Sequence, residues 1–445
     1  MHSDAQQPVT HYLKRMKASI LSVGQELLLG DTINTNASWI GQLLSEHGIR
    51  CTEVVTIGDD AGQIIGSLDR LFAGNDLVIM TGGLGPTHDD ITKATLLRYY
   101  DDVLVRHQPT FDHVKGIFER RGMPFSVSNH AQADVLSKAD VLFNKTGTAP
   151  GMWLERNNRF LAVLPGVPRE MKYLMTHKVM PRVKRINGEG ASYAAYYLQL
   201  TGIGESNLSD IIIGDTSHLT GEALTLAYLP HTHGITLRIS SYAPDTTQAR
   251  ENARPLLEHI RSRANEFIFS QEPGEELQHA LVRQLAGAGK TLAVAESCTG
   301  GQLAHLITNV PGSSAVFLGG MVTYANSLKT GVLGVPEAML NEHGAVSQPV
   351  ALHMARSVAQ QTGADFGLST TGVAGPGGGT PEKPVGTVWI GFWSRDHHLA
   401  LKATLYPDRL VNKERSAVIA MDVLRRHLSG IKTLPYGLTF SDAKT

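Results

Sequence analysis

The stretch Glu296-Ser-Cys-Thr-Gly-Gly301 follows directly on the apolar run Thr291–Ala295, where a buried strand should turn into a helix. Main-chain N–H groups are left over at such a turn, and a nucleophilic oxygen can be held exposed beside them. Ser297 is the candidate nucleophile, and it needs a base, because a serine hydroxyl is weak alone. There is no Gly-x-Ser-x-Gly elbow, and no His or Asp takes an obvious triad role. Lys329, which ends Thr323-Tyr-Ala-Asn-Ser-Leu-Lys329, is the candidate base, provided that its surroundings depress its pKa. Tyr324 would relay the proton or orient Lys329, and the N–H groups around Thr299, Gly300 and Gly301 would stabilise an oxyanion. The Cys298 thiol is a rival nucleophile, activated if it sits at a helix N-terminus. A third apolar run ends in Ser369-Thr-Thr-Gly-Val-Ala-Gly-Pro-Gly-Gly-Gly379, a loop suited to a lid or a phosphate clamp.

A second set of chemistry-bearing residues lies near the N-terminus. In Thr81-Gly-Gly-Leu-Gly-Pro-Thr-His-Asp-Asp-Ile-Thr92, the glycines 82, 83 and 85 would let main-chain N–H groups approach an anion, with a helix start behind them. Asp89 and Asp90 would cap that helix, hold a divalent metal, or both. Ser22-Val-Gly-Gln-Glu-Leu-Leu-Leu-Gly30, Gly58-Asp-Asp60, Gly147-Thr-Ala-Pro-Gly151 and Leu164-Pro-Gly-Val-Pro-Arg-Glu-Met171 bring further polar groups to the ends of strand-like runs. That edge is where an open α/β sheet binds its ligand.

The elements that must position these groups alternate. Residues 18–184 read strand, helix, strand, with strands at Ser19–Val23, Cys51–Ile57, Asp76–Met80 and Leu161–Leu164 and helices at Asn34–His47 and Ile64–Phe72. This predicts a parallel sheet covered on both faces. Residues 185–272 form a small α+β module with strands at Tyr193–Thr201 and Thr236–Ala243 and a helix at Gln248–Ala264. It holds His231-Thr-His233, two histidines that would share a strand face but have no third metal ligand nearby in sequence. Residues 273–432 form a second α/β unit closed by an amphipathic helix at Leu410–Leu428. Residues 1–17 are expected to be a disordered leader and residues 433–445 a tail.

Composition narrows the function classes. The chain has 445 residues, 42% hydrophobic and 18% charged, with 45 Gly and a formal net charge of −1. Two to four domains are expected, with many backbone-lined loops. No cationic stripe suggests direct nucleic-acid binding. The two cysteines, Cys51 and Cys298, lack metal spacing and fit a reducing, cytoplasmic setting, and no apolar run is long enough to span a membrane.

The N-terminal set of motifs resembles the molybdopterin-binding fold, and more narrowly the N-terminal domain of the CinA family (competence/damage-inducible protein A). The resemblance implies a pyrophosphatase acting on ADP-ribose with a divalent metal. It carries ligand contacts to Glu26, Asn36, Asp60, Gly82, Gly83 and Gly85 and the metal to Asp90. Many relatives have Lys where this chain has Ala131, so a cationic phosphate contact is missing there; Lys145 is a candidate substitute. Glu296–Gly301, Thr323–Lys329, Gly344-Ala-Val-Ser347 and Thr371-Gly-Val-Ala-Gly-Pro376 are similar to the CinA C-terminal domain. That domain implies cofactor-free hydrolysis of nicotinamide mononucleotide to nicotinate mononucleotide and ammonia. The resemblance makes Ser297 the nucleophile, Lys329 the base and Tyr324 the supporting hydroxyl. Thr299, Gly300, Gly301, Thr371, Gly372 and Gly375 would line the pocket. A cation for the substrate phosphate is expected at Arg415 or Arg409. Residues 190–270 resemble a KH-type module, but Gly202-Ile-Gly-Glu205 departs from the RNA-clamping Gly-x-x-Gly loop, which favours a spacer or dimerisation element. The family suggests a homodimer. The rival readings are a non-catalytic pterin or nucleotide binder, and an accessory protein in DNA uptake or repair.

Overall fold

The computed structural model describes residues 16–85, 91–187 and 192–438. The chain divides into two compact units, Met1–Ala194 with Ser241–Glu251 and Ala195–Ser240 with Asn252–Thr445.

In the first unit, β1 (Lys17–Val23), α1 (Thr35–Glu46), β2 (Arg50–Ile57), α2 (Ala61–Gly74), β3 (Leu77–Thr81), α3 (Thr92–Tyr100) and α4 (Gln108–Arg120) come in that order. They are followed by β4 (Asp140–Leu142), β5 (Gly151–Arg156), β6 (Arg159–Leu164) and α5 (Pro168–Leu174). The sheet order is β2-β1-β3-β6-β5-β4, parallel from β2 to β6 and antiparallel beyond. Alternate residues of a strand face opposite sides, and here both sides are apolar. Ile20 and Ile79 therefore pack with Ile40 and Leu44 of α1, while Leu21, Val78 and Met80 pack with Ile64 and Leu68 of α2. Asn34 and Asp60 start the two helices by accepting from the Ala37 and Gln63 N–H groups, at 3.0 and 2.8 Å. Met16 is buried and Lys17 opens β1, so the leader expected over residues 1–17 does not extend that far.

The middle module contributes β7 (Ser192–Leu200), β8 (Leu224–His231), β9 (Gly234–Ala243), α6 (Thr246–Ala264) and β10 (Ile268–Ser270), with sheet order β8-β9-β7-β10. Its core joins Leu198, Leu237 and Ile239 of the sheet to Leu256 and Ile260 of α6. His231 ends β8, whereas His233 falls in the turn to β9, so the two do not share a strand face as expected.

The C-terminal domain comprises α7 (Leu277–Ala288), β11 (Leu292–Glu296), α8 (Gln302–Thr308), β12 (Phe317–Val322), α9 (Asn326–Gly331), α10 (Gln348–Thr362), β13 (Phe366–Gly372), β14 (Thr387–Ser394), β15 (His398–Thr404) and α11 (Arg409–Leu428). Its sheet order is β12-β11-β13-β14-β15, parallel around β11 and antiparallel beyond β13. One face packs Leu292, Val294 and Leu368 against α7 and α11, and the other packs Ala293 and Ala295 against Val350, Met354 and Val358 of α10. Residues 433–438, expected in a tail, are docked: Pro435 is buried and Tyr436 and Leu438 pack on this core. No described helix is long and apolar enough to cross a membrane.

Candidate functional site

β11 delivers Glu296 to the base of a turn, fully buried. Its carboxylate accepts from the N–H groups of Gly301, Leu303 and Ala304, at 3.0, 3.1 and 2.8 Å. The last residue of the strand thus satisfies the first turn of α8, and the chain between them must fold back sharply. Gly300 and Gly301 allow this, with φ of +59° and +95°. Ser297 N–H donates to Thr370 O at 2.9 Å, which fixes the serine at the sheet edge.

Lys329, on α9, is only 1% exposed, and its Nζ lies 3.0 Å from Ser297 Oγ. The amine also donates to the carbonyls of Thr323 and Tyr324, at 2.9 and 3.2 Å. Burial pushes the lysine below its usual pKa, and no carboxylate among the described residues lies within ion-pair reach to hold it charged. In the neutral amine, two N–H bonds point at the two carbonyls and the lone pair is left for the serine proton. Burial also pushes the Cys298 thiol up to about 12, so it is not the thiolate nucleophile considered from the sequence.

The remaining expectations sort by contact. Tyr324 orients Lys329 through its main-chain carbonyl, whereas its exposed hydroxyl accepts from Arg409 Nη2 at 2.9 Å. Gly300 N–H is spent on Ser297 O and Gly301 N–H on Glu296, so neither is left for an oxyanion as expected. The N–H groups of Cys298 and Thr299 meet the weakly accepting Cys298 sulfur, so they are the ones an oxyanion could take over. The Thr299 hydroxyl is buried against that of Thr370 at 2.6 Å, and Thr371 donates to Ala345 O at 2.8 Å. Both threonines therefore brace the walls of the site. Gly372 lies where a Cβ would meet Thr387 O at 2.6 Å, so it serves close strand packing. Gly375 O accepts from Arg409 Nη1 at 2.8 Å, which ties the glycine loop to the same arginine as Tyr324. Arg415 is instead placed over the Tyr406 and Tyr436 rings, at 5.8 and 5.9 Å. Of the two arginines weighed from the sequence, Arg409 is the one joined to the site. Lys413 was missed: its Nζ lies 3.9 Å from where a Cβ on Gly300 would be. Its helical spacing from Arg409, i to i+4, was the available signal.

In the first unit, Glu26, Asn36, Gly82, Gly83 and Gly85 line one cleft of about 980 Å³ at the C-terminal ends of the parallel strands. Asp60 does not line it, because its carboxylate caps α2; its neighbour Asp59 does. Gly82, with φ of +103°, passes so close to β1 that a Cβ would meet Val23 O at 2.0 Å, and its N–H is spent on Leu164 O at 3.1 Å. Gln132 and Glu170 also line the cleft and were not anticipated. Asn36 Nδ2 donates to Gly166 O at 2.6 Å, while Asn36 Oδ1 and Gln132 Oε1 are buried without partners among the described residues. Buried acceptors of this kind require donors, such as ligand hydroxyls. Burial raises the pKa of Glu170, which accepts from Asn144 Nδ2 at 2.6 Å. Where Ala131 departs from the family pattern, Lys93 Nζ donates to the carbonyls of Ala131 and Gln132, at 3.2 and 3.1 Å. Asp90 lies outside the described residues, and among those described no group of three or more His, Cys, Asp or Glu could hold a metal ion. The cleft's described carboxylates, Glu26, Asp59 and Glu170, do not assemble such a set.

The family model of the probable molybdopterin binding domain matches residues 19–185, that of the damage-inducible protein CinA KH domain residues 196–270, and that of the CinA C-terminal domain residues 274–428. A CinA-like protein from Salinibacter ruber is 42% identical over 416 residues, covering 93% of this chain and 100% of the relative. A putative competence-damage inducible protein from Clostridioides difficile is 38% identical over 419 residues, covering 93% and 99%. The crystal structure of competence/damage inducible protein CihA from Agrobacterium tumefaciens aligns at 37% identity and a TM-score of 0.34, covering 36% of this chain and 99% of that one. Matched through all three of its segments and along nearly its whole length, the chain belongs to the CinA family.

Proposed function

We propose that the C-terminal domain hydrolyses the carboxamide of nicotinamide mononucleotide, releasing ammonia and nicotinate mononucleotide. The observation that carries this reading is the buried Lys329 amine 3.0 Å from Ser297 Oγ, with two carbonyls fixing its other hydrogens. Ser297 Oγ attacks the amide carbon as its proton passes to Lys329, and the developing oxyanion is met by the N–H groups of Cys298 and Thr299. Lys329 returns the proton to the departing nitrogen, which leaves as ammonia. Water then attacks the acyl-enzyme, giving up its proton to Lys329, and Ser297 is regenerated. Arg409 and Lys413 supply positive charge for the phosphate of the substrate. Ammonia release from nicotinamide mononucleotide by the full chain, lost in Ser297→Ala and in Lys329→Ala, is the expected result. Undiminished release from folded Ser297→Ala would remove the reading.

The N-terminal cleft is read as the site of a second hydrolysis, of the diphosphate of ADP-ribose. The unpartnered oxygens of Asn36 and Gln132 suit ribose hydroxyls, and Glu170, protonated more readily than an ordinary carboxyl, suits proton transfer. A divalent metal belongs to this reading as charge compensation for the phosphates. A chelator is therefore expected to stop AMP formation from ADP-ribose while leaving ammonia release untouched. Loss of both activities, or of neither, would count against this division of labour.

A further inference from the structure

Beside the N-terminal cleft lies a second pocket of about 510 Å³, lined by His113, Arg120, Arg121, Lys145, Arg169 and Glu170. The two are contiguous, since Thr148 and Glu170 line both. Their charges are opposite. The larger cleft is lined by the carboxylates Glu26, Asp59 and Glu170 and, among the described residues, by no Lys, Arg or His. The smaller carries three arginines and a lysine against one carboxylate. None of the four cations is within ion-pair distance of a described carboxylate. His113 Nε2 is buried there without a hydrogen-bond partner among the described residues.

Four cations on a concave wall, of which Arg169 alone feels the Glu170 carboxylate, repel one another, and the arrangement is relieved by a multiply charged anion. The larger cleft is poorly made for such an anion on its own. Its carboxylates oppose negative charge, and the Gly82 N–H, which would have faced a phosphate, is spent on Leu164 O. Its unpartnered acceptor oxygens instead favour hydroxyl-bearing groups. We propose that the smaller pocket is an anion subsite holding the diphosphate of a nucleoside diphosphate, whose nucleoside lies in the larger cleft. The inference rests on the reading of that cleft as a nucleotide site, and it assigns to Arg120, Arg121, Lys145 and Arg169 the phosphate charge that no described side chain of the larger cleft supplies. Arginine suits the task, since its planar fork meets two phosphate oxygens at once.

Equilibrium binding of adenosine and of ADP to the full chain, by calorimetry, tests the proposal without requiring turnover. The wild-type chain should prefer ADP, and inorganic pyrophosphate should compete with it. Arg120→Ala/Arg121→Ala, and separately Lys145→Ala/Arg169→Ala, should weaken ADP about tenfold or more while leaving adenosine unchanged. Lys115→Ala, on the same helix but outside the pocket, should change neither. These side chains are exposed, so far-UV circular dichroism of the variants should match wild type. ADP affinity unchanged in both double variants would overturn the proposal. The two readings fail separately. ADP binding lost in the variants with no ADP-ribose cleavage by wild type would support the subsite and remove the hydrolase reading. ADP-ribose cleavage by wild type with ADP affinity intact in the variants would do the reverse.

Discussion

Lys329 is tuned chiefly by burial, which the neighbouring Cys298 offsets only in part, and this makes its behaviour with pH specific. Its folded-state pKa lies below the ordinary lysine value of 10.5, because the charged form loses water and gains no carboxylate. The rate should depend on the neutral amine, so kcat/KM is expected to rise with pH and level off below 10.5. Stability should follow the same direction. Between the folded and the unfolded pKa the unfolded state binds more protons, so stability rises with pH in that window and is lower beneath it. Lys329→Met abolishes both effects. Urea midpoints of the variant and wild type should converge as the pH rises towards 10.5, and parallel curves would show that the lysine is not perturbed. Lys329→Arg should not rescue activity, since a guanidinium cannot be deprotonated, and the loss in kcat is expected to be on the order of 10²–10⁴. Cys298→Ser should retain most activity. At this scale the pairing of Ser297 with Lys329 was legible, because a hydroxyl at a strand-to-helix turn is chemically conspicuous and the segment Thr323–Lys329 singled out the lysine, and the structure brings the two within 3.0 Å. Lys413, Gln132 and Glu170 were not, since their relevance depends on how a helix is rotated or where a loop returns.

Elements hold this pair through two devices. The first is Glu296, whose carboxylate replaces three missing acceptors at the start of α8. Glu296→Ala leaves buried donors unpaired at about 1–3 kcal/mol each, so thermal unfolding of the domain should shift down by several degrees, with activity falling alongside. Glu296→Gln, which keeps an acceptor oxygen, should recover part of both; equal melting of all three proteins would refute the capping role. The second device is the close seat of α10 on the sheet. A Cβ on Gly367 would lie 1.9 Å from Ala355 O, and one on Gly391 would lie 2.4 Å from Ala351 O. Gly367→Ala must therefore lift the helix, at about 1–3 kcal/mol, and a calorimetric melt unchanged from wild type would contradict the packing. The parallel strands were readable as apolar runs ending in glycine-rich loops. The antiparallel additions β4 and β5 and the helix α4 were not. β4 is three residues long, and α4 buries only Thr110 and Val114.

At the scale of the second unit, one buried cluster joins the middle module to the C-terminal domain. Asp422 of α11 is fully buried and accepts from Arg425 Nε and Arg426 Nε, at 2.6 and 2.9 Å, on two guanidiniums that are themselves 2% exposed. Arg425 Nη2 goes on to donate to Glu266 O at 2.9 Å, and Arg426 Nη1 to Thr433 Oγ1 at 2.8 Å, with the Arg426 guanidinium 5.3 Å from the Phe267 ring centre. Tyr436 N–H closes the junction on Gly202 O at 2.6 Å. Sequence patterning could not reveal this, because Asp-x-x-Arg-Arg near a helix end reads as an ordinary solvated face; only its burial makes it a joint. Such a cluster stabilises little against an apolar replacement but is costly to break singly, since the partners stay buried and charged. Asp422→Ala is therefore expected to lose about 3–5 kcal/mol and to separate the denaturant transition of the middle module from that of the C-terminal domain. The triple variant Asp422→Leu/Arg425→Met/Arg426→Met should regain most of the loss. Ser297 and Lys329 are held by β11, α9 and the turn between β11 and α8, so ammonia release at low temperature should persist in Asp422→Ala. A single, unshifted transition in that variant would mean that the two modules are joined by apolar packing rather than by the charges.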